Sequence, residues 1–316
     1  MPLIQKLGHI LQEFIEPLSP FSVDSAYKYR IDALNLPSGP VDEIPMGEVS
    51  ERIAADGGNL DVTICRPAGK EFNLPVMMFF HGGGWLGNVD THELFRLVSG
   101  TEAAAVSVKY TPAPEMHQPD AILGHYAATY WVVEHKGEIN VTGPRLAVAI
   151  LMTRSAGGDS VGGNMALVVG NLAKQKDPPA ILSQKLFWPV TDAMCDTHSY
   201  KEYAEGHFLT AGGMMKWFWQ DYVCDGTQGD ELPASPLRAQ TKLLGDLPPH
   251  KLTFEDDLRD EGEAYAIKLP QAGVIVQVRR DEGMIHWFTL NPFAEPHAGL
   301  SAADHLPTAM LVETVI

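Results

Sequence analysis

Cysteine is scarce: Cys65, Cys195 and Cys224 are the three in 316 residues, far apart and without a C-x-x-C pair. That usage excludes a disulfide framework and a zinc or redox motif, and it suits a reducing cytoplasm. Basic residues are also few, 23 Lys+Arg against 40 Asp+Glu, for a net charge of −17. A surface of that sign repels phosphate backbones and anionic membranes, so nucleic acid is not an expected partner. Long apolar runs are missing too. The longest, residues 146–152, spans seven positions, against about eighteen for a membrane crossing. Apolar residues from Leu3 to Leu18 recur at helical spacing with Lys6, Gln12, Glu13 and Glu16 between them, which reads as an amphipathic packing helix and not a signal peptide. Histidines number twelve, but none forms H-E-x-x-H or pairs with a cysteine at ligand spacing. Neither a metal nor a cofactor is expected.

With 45% hydrophobic and 20% charged residues, the chain has the apolar mass of an ordinary globular protein. From about residue 60 onward, short apolar runs alternate with longer helical patterns. The strand candidates are 61–66, 76–80, 104–109, 146–152, 185–188, 251–254 and 274–278, and the helix candidates are 121–135, 163–174, 261–269 and 302–315. Such alternation predicts an α/β fold with a mostly parallel sheet covered by helices on both faces. Asp260 followed by Glu263 has the spacing of a capping box and predicts a helix start there. Two stretches stand outside the alternation. Residues 1–45 and the aromatic-rich 192–229 read as additions to a core made of 46–191 and 230–316.

Chemistry concentrates in two glycine-rich segments. Gly158-Asp159-Ser160-Val161-Gly162 is a G-x-S-x-G followed by a helical stretch. In a nucleophile elbow this pattern makes a tight strand-to-helix turn that lifts the serine clear, with a helix N-terminus behind it favouring developing negative charge. By itself the pattern is also that of a plain glycine-rich turn. His81-Gly82-Gly83-Gly84-Trp85 follows directly on the apolar run 76–80, the place from which backbone N–H groups reach a carbonyl oxyanion. Each motif raises the weight of the other.

Together with Asp90-Thr91-His92, Val108-Lys109-Tyr110-Thr111-Pro112-Ala113-Pro114-Glu115, Ala234-Ser235-Pro236-Leu237, Asp256-Asp257-Leu258-Arg259-Asp260-Glu261-Gly262 and Gly283-Met284-Ile285-His286, these segments stand in one order. In that order the chain resembles the hormone-sensitive lipase family of α/β-hydrolases, which includes many bacterial carboxylesterases. The resemblance implies an α/β-hydrolase fold with a helical cap, and Ser160 as nucleophile, His286 as general base and Asp256 as the carboxylate that orients it. It implies Gly83, Gly84 and Val161 as oxyanion donors, with His81, Gly82, Gly158 and Gly162 supporting the motifs. Asp260 is then a helix cap and Asp257 a solvated neighbour of Asp256. The expected reaction is hydrolysis of short to medium acyl esters through an acyl-serine, with a small-molecule ester as the partner and a homodimer compatible with it. Hydrolysis of an amide or lactone, or ligand binding without turnover, stays open on the residues alone.

One departure bears on that alternative. A strand over 146–152 leaves Thr153-Arg154-Ser155-Ala156-Gly157 as surplus before the elbow. Extra chain there is expected to loop out harmlessly, to shift the strand register or to loosen Ser160, because a strained turn persists only where its surroundings over-determine it. Two other matches are set aside: Ser25-x-x-Lys28 has no accompanying K-T-G, and the Asn140-Val141-Thr142 sequon has no meaning without secretion.

Overall fold

The computed structural model describes residues 46–55, 58–67, 69, 73–86, 94, 98, 103–141, 155–176, 181–204, 211–223, 229, 231–248, 250–254, 257–280 and 286. The expected cap segment 1–45, the strand at 146–152, the helix at 302–315 and Asp256 lie outside the described residues.

Strands β1 (Met46–Ala55), β2 (Gly58–Pro67), β3 (Val76–Phe80), β4 (Ala104–Lys109), β5 (Ser155–Asp159), β6 (Ser183–Phe187), β7 (His250–Phe254) and β8 (Val276–Arg280) form one sheet in the order β1-β2-β4-β3-β5-β6-β7-β8. The β1–β2 and β2–β4 pairs are antiparallel; all pairs from β4 to β8 are parallel. Every residue of β3 is buried, as are all but the last of β4, so β3 reads as an unbroken apolar run and β4 as one interrupted only by Ser107 before Lys109. Strand β1 was not expected. It is an edge strand rich in polar residues, but the Asp56-Gly57 dipeptide between Ala55 and Gly58 is a strong hairpin signal.

The helices are α1 (Asp120–Glu134), α2 (Val161–Lys176), α3 (His198–Glu202), α4 (Lys216–Tyr222), α5 (Thr241–Leu244) and α6 (Arg259–Gln271), with a π-helical turn, Ala211–Met215, running into α4. Helix α2 is buried over most of its circumference. Gly170 gives room to Gln184 of β6, whose Nε2 donates to the Ala166 carbonyl at 2.5 Å.

This topology decides where chemistry can sit. Parallel strands end on a common edge, the usual ligand edge of such sheets. His81 follows β3, Ser160 follows β5, Trp188 follows β6, and in the chain Asp256 comes two residues after β7 and His286 six residues after β8.

Candidate active site

The surplus expected before the elbow is absent. Strand β5 is formed by Ser155–Asp159 itself, pairing Met77–Phe80 on one side and Ser183–Phe187 on the other, so it runs straight into Ser160. The sequence reading placed the strand at 146–152 because that run is apolar, whereas Ser-Ala-Gly-Gly-Asp carries almost no strand signal. Small side chains are required here. A Cβ on Gly157 would come 2.9 Å from the Lys185 carbonyl oxygen, and one on Gly158 would come 2.5 Å from the Phe80 carbonyl oxygen.

Ser160 sits at φ +52° between β5 and α2, a left-handed conformation unusual for a residue with a Cβ. Backbone bonds hold it: its N–H donates to the Phe187 carbonyl at 2.9 Å, and its carbonyl accepts from Val190 at 3.0 Å and Asn164 at 3.2 Å. The Asn164 amide extends the anchor, donating to the carbonyls of Val190 and Ala234 at 3.1 and 2.8 Å. At Gly162 any Cβ would overlap the Phe80 carbonyl, so the end of β3 and the start of α2 are in backbone contact. Val161, the first residue of α2, is fully buried beside them.

The loop after β3 is equally constrained. Gly83, Gly84 and Trp85 have φ values of +91°, +65° and +60° in succession. The Gly82 N–H donates to Asp159 Oδ1 at 2.8 Å, tying this loop to the residue before Ser160. His81 Nδ1 bonds the Gly82 carbonyl at 3.0 Å and therefore carries the proton; its ring stacks on Tyr110 with centroids 4.4 Å apart. His125 packs beneath, 4.5 Å from Phe80 and 5.1 Å from Tyr110. Burial pushes His81 down to about 4 and His125 to about 3, so both are neutral near pH 7.

Aromatic side chains of the 192–229 segment cover this loop. Trp85 stacks on Tyr222 at 4.0 Å and meets Trp219 at 4.7 Å, and a Cβ on Gly84 would lie 2.6 Å from the Phe218 ring. On the other side, buried His286 presents its ring 5.8 Å from Trp188, edge-on, and interacts electrostatically with Asp159. The structure thus brings His81, Gly82, Gly83, Gly84, Gly158, Ser160, Val161, Gly162 and His286 to one end of the sheet.

Several roles differ from expectation. The N-cap of α6 is Leu258, and Asp260 lies inside the first turn. Its carboxylate accepts from the Ser199 N–H at 2.8 Å and from Arg259 Nε at 2.9 Å, while Glu263 pairs with Arg280. Tertiary partners have outcompeted the local cap. Asp257 is buried, not solvated, and its carbonyl accepts from Ser199 Oγ at 2.6 Å. Glu261 was not singled out. It is fully buried and accepts from the N–H groups of Thr191 at 2.5 Å and Asp192 at 3.2 Å, and burial pushes its carboxyl up to about 8. An acidic residue inside a motif otherwise read as catalytic was the only signal for it in the sequence. Among the described residues no group of acidic, histidine or cysteine side chains could hold a metal, and no helix is long and apolar enough to cross a membrane.

A family model of the alpha/beta hydrolase fold matches residues 77–290. The chain belongs to this family. Within it, the chain falls in the hormone-sensitive-lipase-like, carboxylesterase branch. The carboxylesterase NlhH of Mycobacterium tuberculosis is 34% identical over 260 residues, covering 79% of this chain and 78% of its own. Ethyl acetate hydrolase of Pseudomonas putida is 32% identical over 285 residues, covering 86% and 85%. The crystal structure of a thermostable esterase from Pseudomonas putida ECU1011 superposes with a TM-score of 0.83 at 42% identity, over 94% of both chains.

Proposed function

We propose that this alpha/beta hydrolase cleaves carboxylic esters of small molecules through an acyl-Ser160 intermediate. The observation that carries the reading is Ser160 at φ +52° on the β5–α2 turn, with the loop of three left-handed residues at the end of the adjacent β3. Ser160 Oγ attacks the ester carbonyl while His286 takes its proton, and the N–H groups of Gly83, Gly84 and Val161 receive the oxyanion. His286 then gives the proton to the leaving alkoxide, and water activated by the same imidazole releases the acid. Asp256, by its place just after β7, orients His286. The neutral ring of His81 supports the loop and takes no proton.

Residues 192–229, together with 1–45, form the cap of the hydrolase core. The buried Phe218, Trp219 and Tyr222 over the oxyanion loop favour short to medium acyl chains, because a ring directly over Gly84 leaves little depth. The test is steady-state hydrolysis of p-nitrophenyl esters by the wild type and Ser160→Ala, with fluorophosphonate labelling. Butyrate turnover, labelling of the wild type and a loss of at least about 10³-fold in Ser160→Ala are expected. An unlabelled, inactive but folded wild type would reject the reading.

A further inference from the structure

The G-x-S-x-G pattern leaves its second position unspecified, yet here that position holds a carboxylate that almost no solvent reaches, with Asp159 4% exposed. Its Oδ1 accepts the Gly82 N–H at 2.8 Å. The carboxylate also lies against the Gly82 α-carbon, so that a Cβ there would come 2.9 Å from Asp159 Cγ and closer still to Oδ2. The contact follows from strand register. Phe80 pairs with Gly158, so His81-Gly82 leaves the sheet beside Asp159, the last residue of β5, and Ser160. Asp159 therefore links the two segments whose relative placement decides whether an oxyanion formed at Ser160 meets its donors.

Burying a carboxylate is costly unless its charge is used. Burial pushes Asp159 up to about 6, while the Gly82 N–H and His286 act in the opposite direction. Among the described residues Tyr110 also faces it, and Asp159 helps to keep that hydroxyl protonated. A neutral apolar residue at this place would leave the buried Gly82 N–H without its acceptor and release the loop.

We propose that Asp159 is a positioning residue for the oxyanion loop: by accepting the Gly82 N–H it sets where the Gly83 and Gly84 amides stand relative to Ser160. This rests on Ser160 being the nucleophile. Because oxyanion donors act on charge that develops in the transition state, loss of the tie lowers kcat and leaves KM nearly unchanged.

Asp159→Leu matches the branched shape without an acceptor; Asp159→Asn keeps an acceptor oxygen and removes the charge. On p-nitrophenyl butyrate, Asp159→Leu is expected to lose about 100-fold in kcat, the scale of a loop misplaced by about 1 Å, with KM within about threefold of wild type. Asp159→Asn is expected to stay within about fivefold of wild type in kcat. A kcat for folded Asp159→Leu within twofold of wild type overturns the proposal. So does a loss of more than about tenfold in Asp159→Asn, which also decides the matter if the leucine variant fails to fold. With Ser160→Ala inert and the wild type labelled, either result rejects the role of Asp159 alone; an unlabelled, inactive wild type rejects the nucleophile and this role together.

Discussion

The two ends of the site are held by different means. At the elbow, the ends of β3 and β5 and the start of α2 meet backbone against backbone: Gly162 touches the Phe80 carbonyl and Ser160 is bonded to the Phe187 and Val190 backbones. At the start of α6, close in the chain to Asp256, the ties are side chains. Ser199 Oγ donates to the Asp257 carbonyl and accepts the Asp260 N–H at 3.2 Å, Arg259 Nη1 reaches the Tyr203 hydroxyl at 3.0 Å, and Glu261 receives the Thr191 and Asp192 amides. The first arrangement rests on backbone contact, and a Cβ at Gly158 or Gly162 would overlap it. The second bends to pH and to single side-chain deletions, but has the redundancy of several bonds.

Substitutions can break or sharpen this contrast. The largest effect is expected from Gly162→Ala, whose methyl would overlap a backbone carbonyl that cannot move without shifting β3. A loss of about 3 kcal/mol is expected, the upper part of the overpacking range, read by chemical denaturation. Stability within error of wild type would show that the elbow is not locked by backbone contact.

Gly84→Ala comes next. It forces a side chain into φ +65° and against the Phe218 ring. About 2 kcal/mol should be lost. Because the ring is a side chain, Phe218→Ala in the same molecule should recover part of it, about 1 kcal/mol of coupling in a double-mutant cycle. Strict additivity would mean that the backbone angle alone sets the cost.

Ser199→Ala removes one hydroxyl from the side-chain network at α6. About 1–2 kcal/mol of stability is expected to go, the cost of leaving a buried carbonyl and amide partly unsatisfied. Thermal melts check it, and a loss as large as that of Gly162→Ala would erase the distinction between the two ends.

The smallest and most specific effect concerns Glu261, which faces Tyr200, Asp192 and Cys195. Its folded pKa of about 8 lies above the ordinary 4.5, so the folded state holds the proton more tightly. Its contribution to stability is complete below pH 4.5 and declines as pH rises towards 8. Glu261→Gln, which keeps an acceptor for Thr191 and Asp192 and does not titrate, should show a smaller fall in Tm between pH 5 and pH 8 than wild type. Parallel curves would contradict a buried, raised carboxyl.

Much of this site was legible in the chain. The glycine triplet after an apolar run and the G-x-S-x-G before a helical stretch mark positions where no other residue types satisfy the backbone, and both lie at the ends of parallel strands. Strand β5 was misread for the same physical reason that makes it work. Its residues are small because α2 and the neighbouring strands press on it, and small residues carry no hydrophobic period. Asp260 shows the converse, since its spacing was that of a cap, but Ser199 and Arg259 bind it in the fold.

Composition, motif order and glycine placement by themselves determined the fold class and singled out Ser160 as the candidate at the end of a parallel strand, because these depend on local backbone demands. Only the tertiary structure decided that β5 is Ser155–Asp159, that Asp159 binds Gly82, that aromatic residues of α4 cover the glycine loop after β3 and that Glu261 is buried. Each of these depends on contacts between residues distant in the chain, which no local pattern records.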